Sequence, residues 1–382
     1  MKQSVRLGRV AGIPVGAHWS VAVILAIITE LLALSVLPGA FPHQPAGLYW
    51  AVAGAAAVVF LASLLAHELA HALVARRNGV GVASITLWML GGVAELEGDP
   101  PSAAADLRIA LAGPAASLVA AALLFGAGAG IGAAAGPGVA VAAAMWLAVM
   151  NAILAVFNLL PGAPLDGGRV LRAALWRHYG DRGRAERGAA RAGRVLGAAL
   201  IGLGLGELLA LRSLGGLWLM LIGWFLITAA AAEEKAAAAR TALAGVRVAD
   251  VMTADPDLAG GWETVEEFAG RAAARSRQDA FPVVGPGGDL AGVVLASQLA
   301  RLPAGDRNRL RLGQVALAVP PGYLAGPDDP AGPLLTRRPL GGQVAAVVLD
   351  GGHVMGLVTA GDLRRALRWR TLARAGHEPG TP

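Results

Sequence analysis

Apolar residues in the first 235 positions come in long runs, not in alternation. The runs cover about residues 18–37, 49–75, 103–129, 139–160, 195–211 and 214–231. A helix needs roughly 20 such residues to cross the hydrocarbon core of a bilayer, so the pattern predicts about six transmembrane helices. Glu30 in the first run and Glu207 in the fifth should face protein, water or headgroups and not lipid; Glu207 reads as half of a structural pair, with Arg212 or a group on another helix. Two segments do not fit a helix. Residues 4–15 alternate loosely around Gly8, Gly12 and Pro14, which predicts a short strand. Val80 to Glu97 holds Gly91-Gly92 among β-branched residues and predicts a membrane-embedded β-hairpin or re-entrant loop. Such backbone is tolerated at membrane depth only where protein or a water-filled cavity covers it, which suits a segment lining a site. Pro114 should kink the third helix. The fourth run ends in Asn158-Leu159-Leu160-Pro161-Gly162-Ala163-Pro164-Leu165-Asp166-Gly167-Gly168-Arg169, a helix break that leaves one carboxylate, Asp166, at its end.

After Glu233-Glu234-Lys235 the pattern changes to short apolar runs with charged residues between them. Two similar blocks follow. The first has a helical stretch near 263–275, then apolar runs at 280–284 and 290–294. The second has runs at 344–349 and 354–359 that lead into Ala360-Gly361-Asp362-Leu363. A repeat of this length predicts two copies of one small soluble α/β unit. The expected division is a membrane domain over 1–235 and two repeats over 245–301 and 309–370.

Composition agrees with a lipid setting. Of 382 residues, 55% are hydrophobic and 15% charged, against about 25% charged in soluble domains; the mean hydropathy is +0.58. The absence of cysteine excludes disulfides, cysteine-ligated zinc and iron–sulfur clusters, so a metal would take histidine and carboxylate ligands. The net charge of +6 comes mainly from arginine, without a basic patch interleaved with aromatics, and no nucleic-acid partner is expected. Arg and Lys sit in the N-terminal arm, after the second run and after the fourth, and are absent from the links after the first and third. Both termini and the repeats are then expected to be cytoplasmic, in a multi-pass plasma-membrane protein. Met1–Gly16 is not followed by a short apolar run with a cleavage site and reads as a mature start.

The candidate chemistry lies near the end of the second run, in His67-Glu68-Leu69-Ala70-His71. Histidines four apart project from one helix face and can bind Zn²⁺, and a Glu between them can take a proton from a metal-activated water. Three ionisable residues in an apolar helix point to function. A hydrolytic zinc site needs a third protein ligand. Asp166 is the candidate, on the same side of the membrane; a turn aspartate before Gly167 is the other reading, and Glu95 and Glu97 are further candidates. A transporter or channel gated by the C-terminal repeats, with these residues as an ion path, is the competing class, although no inverted repeat supports it. A catalytically dead scaffold is a third.

The H-E-x-x-H run, Gly91-Gly92-Val93-Ala94, and Asn158-Leu159-Leu160-Pro161 with Leu165-Asp166-Gly167 resemble the site-2 protease family of intramembrane zinc metalloproteases. The C-terminal repeats resemble a CBS-domain pair. The resemblance covers nearly the whole chain. It implies one zinc on His67, His71 and Asp166, Glu68 as general base, and Asn158 orienting substrate or steadying an oxyanion. It implies a hairpin edge that pairs with an unwound transmembrane substrate, cut in regulated intramembrane proteolysis. Gly113-Pro114-Ala115-Ala116-Ser117 departs from many relatives, which have Asn where Ser117 stands, and helix packing is the expected role there. In the CBS pair, Thr359 and Asp362 match the residues that hold an adenosyl nucleotide, whereas the first copy has Leu295 and Gln298. At most one nucleotide site is expected, and a regulatory or homodimerising role for the pair.

Overall fold

The computed structural model describes residues 4–89, 91–335 and 337–375. The chain forms two units, Met1–Lys235 and Ala236–Pro382. Among the described residues, six helices are long and apolar enough to cross a membrane: Ser20–Ala40, Ala46–Arg77, Ala103–Ala135, Val139–Asn158, Arg182–Ala210 and Gly215–Ala242, called here the first to sixth spans. No more than 33% of any span's apolar window is buried inside the protein, so the rest of that surface calls for lipid. Several spans run past the apolar stretches because Ala and Arg continue the helix; the second ends on Arg76 and Arg77, cations suited to a C-terminal turn. The first span carries a π-helical turn at Leu32–Val36, and Glu30 beside it is exposed on the outer surface. The third runs through Pro114 without a break.

The single strand expected over 4–15 is two strands, β1 (Val5–Val10) and β2 (Ile13–Ala17). Ala11 and Gly12 between them both have positive φ, 50° and 77°, as a two-residue hairpin turn requires. The expected membrane hairpin is β3 (Gly81–Trp88) and β4 (Gly91–Glu97); Leu90 and the Glu97 side chain lie outside the described residues. The four strands form one sheet in the order β1-β2-β3-β4, with β2 and β3 parallel and β4 at an edge. Ile13, Val15 and Ile85 pack on Ala72 of the second span, so the sheet is anchored beside His71.

The fifth and sixth spans meet along glycines. A Cβ on Gly204 would stand 2.4 Å from the Gly216 carbonyl oxygen, and one on Gly197 2.6 Å from that of Gly223. Backbone cannot yield as a side chain can. Gly204→Leu is expected to force the spans apart and lower stability by about 1–3 kcal/mol, the usual cost of overpacking, read as a lower unfolding temperature in detergent. Glu207, expected to pair with Arg212 or another helix, instead accepts a hydrogen bond from Ser213 Oγ at 2.8 Å in the turn between these spans.

In the second unit both α/β repeats form, each with one helix shortened. The first copy holds β6 (Ala259–Gly260), the helix Val265–Arg275, β7 (Ala280–Val284) and β8 (Leu290–Leu295), and its last helix is the single turn Ala296–Leu299. The second holds β9 (Leu324–Ala325), β10 (Val344–Asp350), β11 (His353–Thr359) and the helix Ala360–Ala375, with β5 (Thr253–Ala254) added to its sheet. Its first helix is reduced to one 3₁₀ turn, Gly332–Leu335. Pro327, Pro330 and Pro333 explain that loss, because each removes a backbone donor.

Candidate metal centre

His67 and His71 stand on one face of the second span, both buried. The break after Asn158 turns the chain back toward them. Ala163 donates its N–H to the Ala189 carbonyl of the fifth span (3.1 Å). Gly193, a turn further along, leaves room for that loop, since a Cβ there would lie 2.0 Å from the Ala163 oxygen. The helix Asp166–Tyr179 starts directly after the loop. Gly167 and Gly168 allow its first turn to pass over the loop backbone; a Cβ at Gly167 would be 2.3 Å from the Leu159 oxygen. Asp166 therefore opens this helix with its carboxylate beside both imidazoles.

The three donor atoms converge. Asp166 Oδ2 lies 3.2 Å from His67 Nε2 and 3.1 Å from His71 Nε2, and the two Nε2 atoms are 3.2 Å apart. Ligand bonds of about 2.0–2.1 Å at tetrahedral angles would place donors about 3.3–3.4 Å apart. His71 Nδ1 donates to the Ile109 carbonyl (2.7 Å), which can only accept, so the neutral ring turns a lone pair inward at Nε2. Ser117 Oγ lies 2.9 Å from His67 Nδ1 and can hold the same tautomer there. Two lone pairs and a carboxylate facing each other need a proton or a cation between them. Burial would raise the Asp166 pKa, but the hydrogen bonds with His67 and His71 outweigh it and hold the carboxyl well below its usual range. Among the described residues, His67, His71 and Asp166 form the cluster able to hold a metal ion. Glu95 is not part of it and instead accepts from Ser84 Oγ on the neighbouring strand.

Gly113 of the third span provides the space for this centre. A Cβ there would fall 2.1 Å from His71 Nε2 and 2.5 Å from His67 Nε2. The β-hairpin approaches at Glu68: a Cβ at Gly92 on β4 would meet Glu68 Cγ at 2.2 Å. Glu68 is half-buried, and its carboxyl lies within electrostatic reach of His71, His67 and Asp166. Asn158 is half-buried at the C-terminal end of the fourth span and makes no side-chain hydrogen bond among the described residues.

Some positions around this cluster were missed in the sequence. Ser117, expected to serve helix packing, touches His67. Asp106, Ile109, Gly113 and Ser117 follow each other at helical spacing on the third span, all buried. A polar residue, a glycine and a serine in register within an apolar helix were the available signal.

In the second unit, Thr359 and Asp362 cap the helix Ala360–Ala375. Thr359 N–H donates to Asp362 Oδ2 (2.9 Å), and Asp362 N–H donates to Thr359 Oγ1 (3.1 Å). Asp362 also accepts from Thr253 Oγ1 and Arg365. The corresponding Gln298 of the first copy donates to the Val315 carbonyl.

Two imidazoles and a carboxylate able to hold a metal ion, set among membrane-length helices with a glutamate beside them, suit a membrane-embedded metal hydrolase. The family model of peptidase family M50 matches residues 55–134 and 129–200. The "Putative zinc metalloprotease Rip3" of Mycobacterium tuberculosis is 46% identical over 375 residues, covering 98% of this chain and 95% of that protein. The chain belongs to peptidase family M50, the site-2 protease family of zinc metalloproteases. Among solved structures, the Site-2 Protease from Methanocaldococcus jannaschii is similar over 60% of this chain and 94% of its own, at 29% identity and a TM-score of 0.42. The CBS domain of a bacterial CNNM/CorC family Mg²⁺ transporter in complex with ATP is similar over 36% of this chain and 96% of its own, at 23% identity and a TM-score of 0.30.

Proposed function

We propose that this chain is an intramembrane endopeptidase in which His67 Nε2, His71 Nε2 and the Asp166 carboxylate hold one zinc and Glu68 is the general base. The observation that carries this reading is the convergence of the three donors, with both outer imidazole nitrogens already engaged. Zinc bound there would polarise a scissile carbonyl and acidify a water. Glu68 takes the proton of the attacking water at its carboxylate and returns it to the leaving amine. Asn158, at the mouth of the helix break, is assigned to orienting the substrate carbonyl. The edge strand β4 passes directly over Glu68, which supports a role in pairing with an unwound segment of a transmembrane substrate. Regulated intramembrane proteolysis is the setting that fits, with the CBS pair in the cytosol as a regulatory or dimerising module. An adenosyl nucleotide at Thr359 and Asp362 would have to compete with the capping hydrogen bonds that Asp362 already accepts.

Zinc content of the detergent-purified protein tests the assignment without a known substrate. The wild type is expected to hold about one zinc per chain, and Asp166→Ala to lose most of it. Full zinc in the variant would remove Asp166 from the ligand set.

A further inference from the structure

Asp106 is a buried charge that the proposed chemistry does not use. It stands in the first turn of the third span and is 1% exposed. Arg172 grips it with two parallel bonds, Nε to Oδ2 at 2.8 Å and one terminal nitrogen to Oδ1 at 2.7 Å. Arg172 is itself buried, and Arg169 adds a longer contact of 3.4 Å. The other terminal nitrogen of Arg172 lies 3.8 Å from Glu233 in the C-terminal half of the sixth span.

Burying both partners gives no clear gain in stability, because desolvation offsets the attraction; fixing register is the better-attested use of such pairs. The register fixed here concerns the metal centre. Arg172 lies on the helix that Asp166 begins, and Asp106 lies one turn before Ile109, whose carbonyl orients His71. Loop and helix can slide along the third span only if this fork opens.

We propose that Asp106 and Arg172 are positioning residues of the metal centre: their buried, two-bonded pair holds the Asp166 helix against the third span and so sets the Asp166 carboxylate at ligand distance from His67 and His71. The proposal rests on the reading of those three residues as the zinc ligands. Neither residue touches the metal or the substrate. Both act through Asp166 and, by way of Ile109, through His71.

The test is zinc affinity of the full-length protein in detergent, by competition with a chromophoric chelator, with thermal unfolding of the metal-free form measured in parallel. Two variants are used. Arg172→Lys keeps the charge and loses the planar fork. Asp106→Asn combined with Arg172→Gln removes both charges, so that none is left buried without a partner. Zinc affinity is expected to fall about 10- to 100-fold in the double variant, the range seen when the partners of metal ligands are changed, and by less in Arg172→Lys. The metal-free unfolding temperature of Arg172→Lys should stay near that of the wild type. Wild-type zinc affinity in both variants overturns the proposal. So does failure of both to fold, which would assign the pair to folding alone. A wild type that binds no zinc overturns the ligand assignment itself and this proposal with it, an outcome distinct from equal affinity in wild type and variants.

Discussion

Glu68→Gln is expected to keep its zinc and to lose proteolysis, with the rate of cleavage of a transmembrane substrate falling about 10²- to 10⁴-fold. The amide matches the carboxylate in size, so it fits under β4, where Gly92 leaves room for the side chain. It cannot accept the proton of an attacking water. Glu68 is absent from the donor cluster of His67, His71 and Asp166, so metal content should not change. Cleavage of a reconstituted substrate, beside metal analysis of the same preparation, checks both halves. Unchanged cleavage would sink the general-base assignment, and loss of zinc would mean that Glu68 belongs to the ligand set.

Gly113→Ala is expected to do the reverse, emptying the centre while the fold persists. The added methyl group would lie 2.1 Å from His71 Nε2 and 2.5 Å from His67 Nε2, well inside contact distance. Those atoms are the ends of side chains and can swing away at modest cost to the bundle. They cannot swing away and still meet Asp166. Zinc should drop from about one per chain toward none, and activity should go with it. The helical circular dichroism and elution volume in detergent should resemble those of the wild type. A variant with full zinc would show that the third span does not set the space for the centre.

The membrane architecture was legible because lipid imposes a simple rule: runs of about 20 apolar residues become helices. The H-E-x-x-H pattern was legible for a similar reason, since a spacing of four fixes two side chains on one face. Asp166 was less so. From residues alone it could be a turn aspartate, because its approach to the histidines depends on Ala163, Gly167 and Gly193, three contacts distant in sequence from the second span. The stripe on the third span stayed hidden for the same reason. Asp106 and Ser117 each look like an isolated polar position, and Ile109 acts through its backbone, which leaves no trace in residue type. The N-terminal strand pair was read as one strand because Ala11 at a positive φ is an unusual turn residue. In the second unit the repeat was visible in its strands, while the proline positions that shorten one helix were seen only once the two copies could be compared element by element.

The loop that delivers Asp166 rests on the fifth span, through the Ala189 carbonyl and the space at Gly193. Chain order gives this a consequence for biosynthesis. A nascent chain emerges N-terminus first, so His67, Glu68 and His71 enter the membrane long before the surface that seats Asp166. A ribosome-bound chain with four spans inserted has both histidines and the base, yet no support for the carboxylate. With His67, His71 and Asp166 as the proposed ligands, the centre is then expected to be completed only in a chain whose fifth span is in place, so that zinc capture follows and does not precede insertion of that span.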